Sequence, residues 1–422
     1  MRWIALTGLR GTGKSTIMYQ LFEEAKKLDA YVLALSVDEV VNTMGSNIHE
    51  SIEAFEEIIG KPICGLDKPL FLFLDEVQYD KNWGSTLKII YDKSFKTFIF
   101  STGSSAILIN SNADIARRAI YEKMFPLSFV EFNKIKNEGK DIEELSIEMR
   151  KIFFESLNAK EVFEGLKSIE NKFFQYSWTG NKIEFEKYLH YGSLPFMINL
   201  ENESIVYDQI KKSVDRVINI DIGYTNKFES ETINKIFAIL YAIADMDLVN
   251  ILSLSRDFEI SRAKMAEIFS LLEQAEVLHR IFPMGSHFKQ VTQKPSKYLF
   301  SSPSFRAMFY KTIGNTITEE NARGKLLEDL VGMYLYRLCD KNPIFSLTYD
   351  SLKGGADFII SMGKKRIVIE VGVNKQEYKQ ARQTVKSVGA NYGVIISEKA
   401  SELEYNEEAN TVKIPLKYFI LM

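Results

Sequence analysis

Between the apolar run WIAL and the first stretch of helical periodicity, the chain reads Gly8-Leu9-Arg10-Gly11-Thr12-Gly13-Lys14-Ser15. This fit to G-x-x-x-x-G-K-[ST] restricts the fold more than any other feature. Glycines let backbone N–H groups wrap a phosphate where a Cβ would collide. The helix that follows turns its positive end on the same charge. Such a loop needs a strand before it and a helix after it. Both are present, because KSTIMYQLFEEAKKL reads as a helix with Ile17, Leu21 and Phe22 on one face. Lys14 can reach the β- and γ-phosphates, and the Ser15 hydroxyl can bind Mg2+. With Thr16, the segment Gly8, Leu9, Arg10, Gly11, Thr12, Gly13, Lys14, Ser15 and Thr16 is the expected nucleotide-binding set.

The pattern after the loop agrees with a parallel sheet. YVLALS, PLFLFLDEV and TFIFSTGSS read as strands, separated by the helices IHESIEAFEEIIG, which ends at Gly60, and WGSTLKIIYDK. The unbroken apolar run in PLFLFLDEV is that of a strand buried on both faces. Asp75 and Glu76 close it, Asp75 as the residue to hold Mg2+ through water and Glu76 to polarise the attacking water. Thr102, at the end of TFIFST, is expected between the acid strand and the loop, near the terminal phosphate, with Ser104 as second choice. Arg117 and Arg118 read as part of a helical stretch. A guanidinium there could neutralise charge on a transferring phosphate, within the chain or across a subunit contact.

Composition sets the outer limits. A length of 422 residues implies two to four domains. A net charge of −3 announces no whole-chain basic field for nucleic acid. Cys64 and Cys339 stand far apart, and His49, His190, His279 and His287 are scattered, so neither a zinc site nor a disulfide framework is expected. WIAL runs into Gly and Lys and does not read as a signal peptide. The apolar stretch IFAILYAIA is under half a membrane span and reads as a buried helix, so the expected location is the cytoplasm with no membrane contact.

Beyond about residue 131 helical segments rich in Phe, Lys and Glu dominate, read as a lid or connector. DLVNILSLSRDFEISRAKMAEIFSLLEQAEVLHRIFP then fits a helix-turn-helix. Ser261 caps its second helix, and Met265, Ile268, Leu271 and Leu272 form the apolar face. Arg262 and Lys264 stand at the end of that helix where recognition helices meet bases or phosphates. VLHRIFP and KYLFS are expected as wing strands, with Lys289, Lys294 and Lys297 near the wing. Residues 256–297 hold seven Lys or Arg against five Asp or Glu, a small surplus for a DNA binder. A protein-interaction or structural unit fits as well.

GLRGTGKST, LDEVQYDKNWGSTLKIIYD, STGSSA and FPLSFVEF together resemble the AAA-type ATPases of archaea and bacteria, in the STAND-like branch of the P-loop proteins. YGSLPF and VINIDI resemble the family's connector. The resemblance implies ATP with Mg2+. It also places a finger arginine eight residues before the Pro of PLSF, where this chain has Arg118, preceded by Arg117 in place of Gly. Family members commonly carry a winged-helix unit and then a nuclease-like fold. The expected fold is therefore α/β: a P-loop parallel-sheet core over 1–135, a helical lid over 136–240, a winged helix over 241–303 and a restriction-endonuclease-like α/β domain over 304–422.

That last domain holds three acids in a suggestive order. Glu328 lies in the helix RGKLLEDL, Asp357 in the strand GGADFII, and Glu370 in the next strand, RIVIEVGV. Carboxylates on adjacent strands can share a divalent cation and cleave a phosphodiester, and the set resembles the PD-(D/E)xK nucleases. Their lysine belongs two residues after the second strand acid, where this chain has Gly372. Lys375 has the wrong parity for a direct swap, and Lys379 on the next helix is within reach of the acids only if it folds back. A domain kept for packing or partner binding fits better than an active nuclease. Three whole-chain readings follow: an ATP-hydrolysing switch, DNA-associated through the winged helix, with a protein partner or a second copy possible; an ATP-gated metal-dependent DNA nuclease; and a nucleotide-bound scaffold with negligible turnover.

Overall fold

The computed structural model describes residues 2–103, 117–136, 142–175, 181–222, 228–285, 294–314 and 317–422. Ser104 and Lys289 lie outside them. Two compact units are present, one built essentially from residues 1–125 and the other from 126–422 apart from two short pieces, 219–225 and 274–276.

The first unit is a parallel sheet of β1 (Trp3–Gly8), β2 (Tyr31–Ser36), β3 (Leu70–Asp75), β4 (Thr97–Thr102) and β5 (Ile120–Met124) in the order β2-β3-β4-β1-β5. All the expected strands form, and β5 is an addition. Its sequence, IYEKM, sets two adjacent charges in its middle and carries no strand-like apolar run. Parallel pairing with β1, from Ile4–Ile120 to Gly8–Met124, holds it at the edge. The helix Lys14–Ala25 packs Met18 and Ala25 on Phe73, with Phe22 beside them. Ile17 and Leu21 are exposed, so the packed face lies one residue round from the expected one. Trp3, fully buried, meets Trp83 edge-on at 6.5 Å and donates its indole N–H to Ser101 Oγ at 2.9 Å, joining β1 to β4 on the core side.

The second unit is organised around an eight-stranded mixed sheet. Its strands are β6 (Leu278–Pro283), β7 (Lys297–Phe300), β8 (Phe345–Tyr349), β9 (Phe358–Met362), β10 (Lys365–Gly372), β11 (Tyr392–Ser397), β12 (Glu404–Asn406) and β13 (Thr411–Pro415), in the order β12-β13-β11-β10-β9-β8-β6-β7. The hairpin β6–β7 is thus not a separate layer: Phe282 and Pro283 pair with Thr348 and Tyr349 of β8. Ahead of it stand the helices Ser230–Asp245, Ile251–Asp257 and Arg262–Gln274. An isolated bridge between Val249 and Ser296 adds a third short strand segment beside the hairpin. Met265, Ile268, Leu271 and Leu272 are all buried, and Ser261 Oγ accepts from the Lys264 N–H at 3.3 Å, as a cap should. Among the described residues no helix is long and apolar enough to cross a membrane.

A charged fork ties this unit together. Arg306, 2% exposed, grips Asp329, 0% exposed, through Nε–Oδ2 at 2.5 Å and Nη2–Oδ1 at 2.9 Å. Asp329 Oδ1 also accepts from the Phe300 N–H at 3.1 Å, and Arg306 Nη1 donates to the Ala244 carbonyl. Burial works against the guanidinium's charge, yet Asp329 holds its pKa above the ordinary arginine value. One fork therefore links the helices Ser230–Asp245, Pro303–Thr312 and Glu319–Lys341 to β7. Removing one partner leaves a buried charge alone, so Asp329→Ala should destabilise this unit by about 3–5 kcal/mol. Replacing both residues by apolar ones should recover much of that loss. Urea unfolding of the single and double variants checks both expectations.

Candidate functional site

The phosphate loop leaves the carboxyl end of β1. Gly8 has φ +137°, and a Cβ there would lie 2.3 Å from the Met124 carbonyl oxygen of β5, so only glycine lets the chain leave β1 this close to β5. Gly11 and Gly13 also have positive φ. The helix Lys14–Ala25 starts from Gly13 with no side-chain cap and no acidic residue in its first turn. Its first N–H groups are therefore left for an anion. The loop orders itself from within. The Thr12 hydroxyl donates to the Leu9 carbonyl at 2.8 Å, and the buried Lys14 ammonium donates to the Gly8 and Leu9 carbonyls at 3.0 and 2.8 Å. Ser15 is partly exposed at the mouth of the loop.

β4 separates the loop strand from the acid strand and pairs with both, Leu6–Thr102 on one side and Leu74–Ser101 on the other. Thr102, wholly buried, donates its hydroxyl to Asp75 Oδ1 and accepts from the Glu76 N–H at 3.1 Å. Its single proton is thereby given to Asp75. Glu76 adopts a left-handed backbone with φ +56°, an unfavourable conformation for a residue with a Cβ and one concentrated at functional sites. Two side chains hold its carboxylate: Gln78 Nε2 donates to Oε2, and Arg10 Nη1 stands 4.0 Å from Oε1. Lys14, Asp75, Glu76 and Thr102 thus gather at one edge of the sheet, with Arg10 beside them. The residues can hold Mg2+, since a hydroxyl at Ser15 and a carboxylate at Asp75 flank a loop built for phosphate.

Arg118 is not at that edge. It sits in a turn before β5, not in the helical stretch expected, and forks onto Asp92 through Nε–Oδ1 at 2.9 Å and Nη2–Oδ2 at 2.7 Å. Met124 is level with Gly8, and Arg118 lies six residues earlier, at the opposite end of the sheet. At ~3.3 Å per residue that is about 20 Å from the loop. Within one chain Arg118 therefore does not serve as the finger.

The three C-terminal acids do come together, but around lysine. β9 and β10 pair antiparallel in a register, Ile369–Phe358, that sets Asp357 opposite Glu370. Glu328 arrives from the helix Glu319–Lys341. Between Glu328 and Asp357 stands the ammonium of Lys297, bonded to Glu328 Oε1 and 3.4 Å from Asp357 Oδ1. Lys297, read from the sequence as a basic wing residue, is 7% exposed. Burial opposes its charge, but Glu328 and Asp357 prevail and hold its pKa above the ordinary lysine value. Asp357 Oδ2 accepts from the Val371 N–H at 2.9 Å.

Lys375 supplies the second cation. Its ammonium lies 3.1 Å from Glu370 Oε2. Its stem crosses Gly372, where a Cβ would come within 2.8 Å of Lys375 Cε. The lysine missing from position 372 is thus replaced in space by one three residues later, whose side chain uses the room that glycine leaves. Lys379 is exposed at the start of the next helix. Glu370 is 2% exposed, and burial, then the charge of Asp357, push its pKa up to about 9 against the pull of Lys375. Its Oε1 has no hydrogen-bond partner among the described residues. Glu328, Lys325, Gly372, Asn374 and Lys375 line a cleft of about 440 Å3. Among the described residues, no group of three or more His, Cys, Asp or Glu is arranged to hold a metal ion.

Arg10 and Gln78 at the first site, and Lys297 and Lys375 at the second, were not assigned these parts from sequence. Arg10 and Gln78 carry a faint signal, since both fall inside the motifs that frame Glu76. Lys375 carries one in the glycine that precedes it at 372.

Comparison with known proteins agrees with the first unit. Residues 1–133 match the family described as an AAA domain, and residues 182–312 match a domain of unknown function (DUF8612). The chain is 22% identical over 391 residues to the uncharacterized protein MJ1544 of Methanocaldococcus jannaschii, covering 89% of this chain and 76% of that protein. Among solved structures, AMPPCP-bound DnaA from Aquifex aeolicus aligns at a TM-score of 0.25 and 17% identity, over 64% of this chain and 81% of that one. Drosophila ORC bound to DNA aligns at 0.23 and 12%, over 75% and 91%. Likenesses that weak add nothing to the assignment. A second M. jannaschii protein, the uncharacterized MJ1637, is 33% identical over 425 residues, which span 99% of this chain and 84% of that protein. With an AAA domain at its amino end, the chain belongs to the family of MJ1637.

Proposed function

We propose that the chain is an ATP-binding and ATP-hydrolysing switch, with nucleotide taken and turned over in its AAA domain. The observation that carries this reading is the Thr102 hydroxyl, which fixes Asp75 and the backbone of Glu76 beside a phosphate loop whose lysine is already inside it. The loop N–H groups and Lys14 bind the β- and γ-phosphates, Lys14 exchanging two carbonyl partners for charged oxygens. Ser15 and Asp75 hold Mg2+, which supplies charge neutralisation on the phosphates. Glu76 accepts the proton of the attacking water. Arg10 and Gln78 fix its carboxylate in direction.

The output of the switch belongs to the second unit. The helix pair Ile251–Asp257 and Arg262–Gln274, with the hairpin β6–β7 and the Val249–Ser296 bridge, has the parts of a winged helix. We assign it contact with double-stranded DNA through Arg262, exposed at the helix start, and Lys264, which reaches Glu229 at 3.6 Å. A protein partner or a second copy is the other candidate for the same surface.

Glu76→Gln should lower ATP turnover by about a hundredfold or more while leaving nucleotide binding nearly unchanged. Lys14→Ala should abolish binding. Phosphate release and fluorescent-nucleotide titration measure the two, and undiminished release from Glu76→Gln would favour a nucleotide-bound scaffold instead. Losing two phosphate contacts, in Arg262→Ala with Lys264→Ala, should reduce the slope of log affinity against log salt by about 2. Anisotropy titrations of a duplex across a salt series read that slope. An unchanged slope would move any DNA contact off this helix.

A further inference from the structure

We propose that the Lys297 ammonium is the resident cation of the cluster formed by Glu328, Asp357 and Glu370, that the cluster takes no divalent ion while Lys297 lies in it, and that neutralising Lys297 turns it into a site for one divalent ion. The resemblance to PD-(D/E)xK nucleases implies a metal at these acids, and the residues as placed do not fit one. The ammonium bonds Glu328 and approaches Asp357 from the side both would offer to an ion. The other oxygen of Asp357 is taken by the Val371 N–H. Glu370 points one oxygen at Lys375 and leaves the other buried, without a partner among the described residues.

Lys297 is built into this place. It opens β7, so its backbone is fixed by pairing with Ile281, and its ammonium lies 5.2 Å from the ring centroid of Phe358. It also approaches the Asp357 carbonyl at 3.3 Å. Formal charge points the same way. Three carboxyl groups face two ammonium groups, so at most one negative charge is left over, too little to balance a buried dication. Without the Lys297 charge up to two are left over, and Glu370 Oε1 offers a ligand atom that no other described residue uses. The test requires no nucleotide.

The experiment is Mn2+ binding to the full chain without nucleotide, with free Mn2+ counted by electron paramagnetic resonance. The ion assigned to the cluster is the part lost on adding Asp357→Asn. Wild type should show no such ion. Lys297→Met and Lys297→Gln should each gain about one, bound at least about tenfold more tightly than wild type binds any at this cluster. Lys297→Arg, which keeps the cation, should gain none. Two results overturn the proposal: a wild-type ion that disappears with Asp357→Asn, or folded Met and Gln variants that bind no more Mn2+ than wild type. The wild-type comparison decides even where a neutral variant fails to fold. Duplex cleavage in the same samples is a separate readout, so a metal site without nuclease activity leaves the proposal standing.

Discussion

The buried fork between Arg306 and Asp329 sets the geometry of the second unit. A pair this dry is held only because nearly every polar atom in it is used: two Arg–Asp bonds, the Phe300 N–H and the Ala244 carbonyl. Those partners come from four elements, so the fork fixes the rotation of the helix Glu319–Lys341 relative to β7. Glu328 precedes Asp329 on that helix, and Lys297 lies three residues before Phe300 on that strand. Their meeting is thus a consequence of the fork next to it. The hairpin's place at the end of the eight-stranded sheet, beside β8, supports the same alignment.

In the first unit an uncharged group does the corresponding work. Thr102 has one hydroxyl, and it serves both acids at once: the side chain of Asp75 and the backbone of Glu76. A hydroxyl suits this place because it both donates and accepts. The strand order makes the contact possible, since β4 must lie between β1 and β3 for a residue at its end to reach the acids and stay beside the loop. The left-handed turn at Glu76 follows directly, and it points the carboxylate toward Arg10 and Gln78 instead of along the strand.

Much of this architecture was legible in the sequence. WIAL, YVLALS, PLFLFLD and TFIFST carry enough apolar continuity to name four strands, and the glycine–lysine loop orders them. The position of Thr102 beside Asp75 followed from that order. β5, β12 and β13 escape a reading of the sequence for the same reason: IYEKM, EYN and TVKIP are short, carry charge or polar residues, and become strands only through pairing with β1, β13 and β11. The family resemblance draws Arg118 to the phosphate through its place eight residues before Pro126, but a motif position does not tell which end of a strand a residue occupies. Lys375 was set aside on parity, an argument that holds only while the chain stays extended. β10 stops at Gly372, and the turn returns Lys375 over the glycine. Lys297 was out of reach altogether, because its partners lie 31 and 60 residues away and a lysine opening a strand reads as surface charge.

The two lysine sites differ in what their ammonium groups rest on. Lys14 is held by two neutral carbonyls at 3.0 and 2.8 Å. Each such bond from a charged donor is worth about 1.5–3 kcal/mol net, and a phosphate oxygen bearing charge replaces them at a gain. That ammonium is kept in position and is readily given up to a ligand. Lys297 rests on two carboxylates in a buried cluster, where withdrawing it leaves charges alone at a cost of about 3–5 kcal/mol. A ligand must supply at least that much to displace it. The same side-chain chemistry therefore yields a receptive site in the AAA domain and a self-satisfied one beside β10. The difference follows these acceptors, backbone carbonyls in one case and carboxylates in the other.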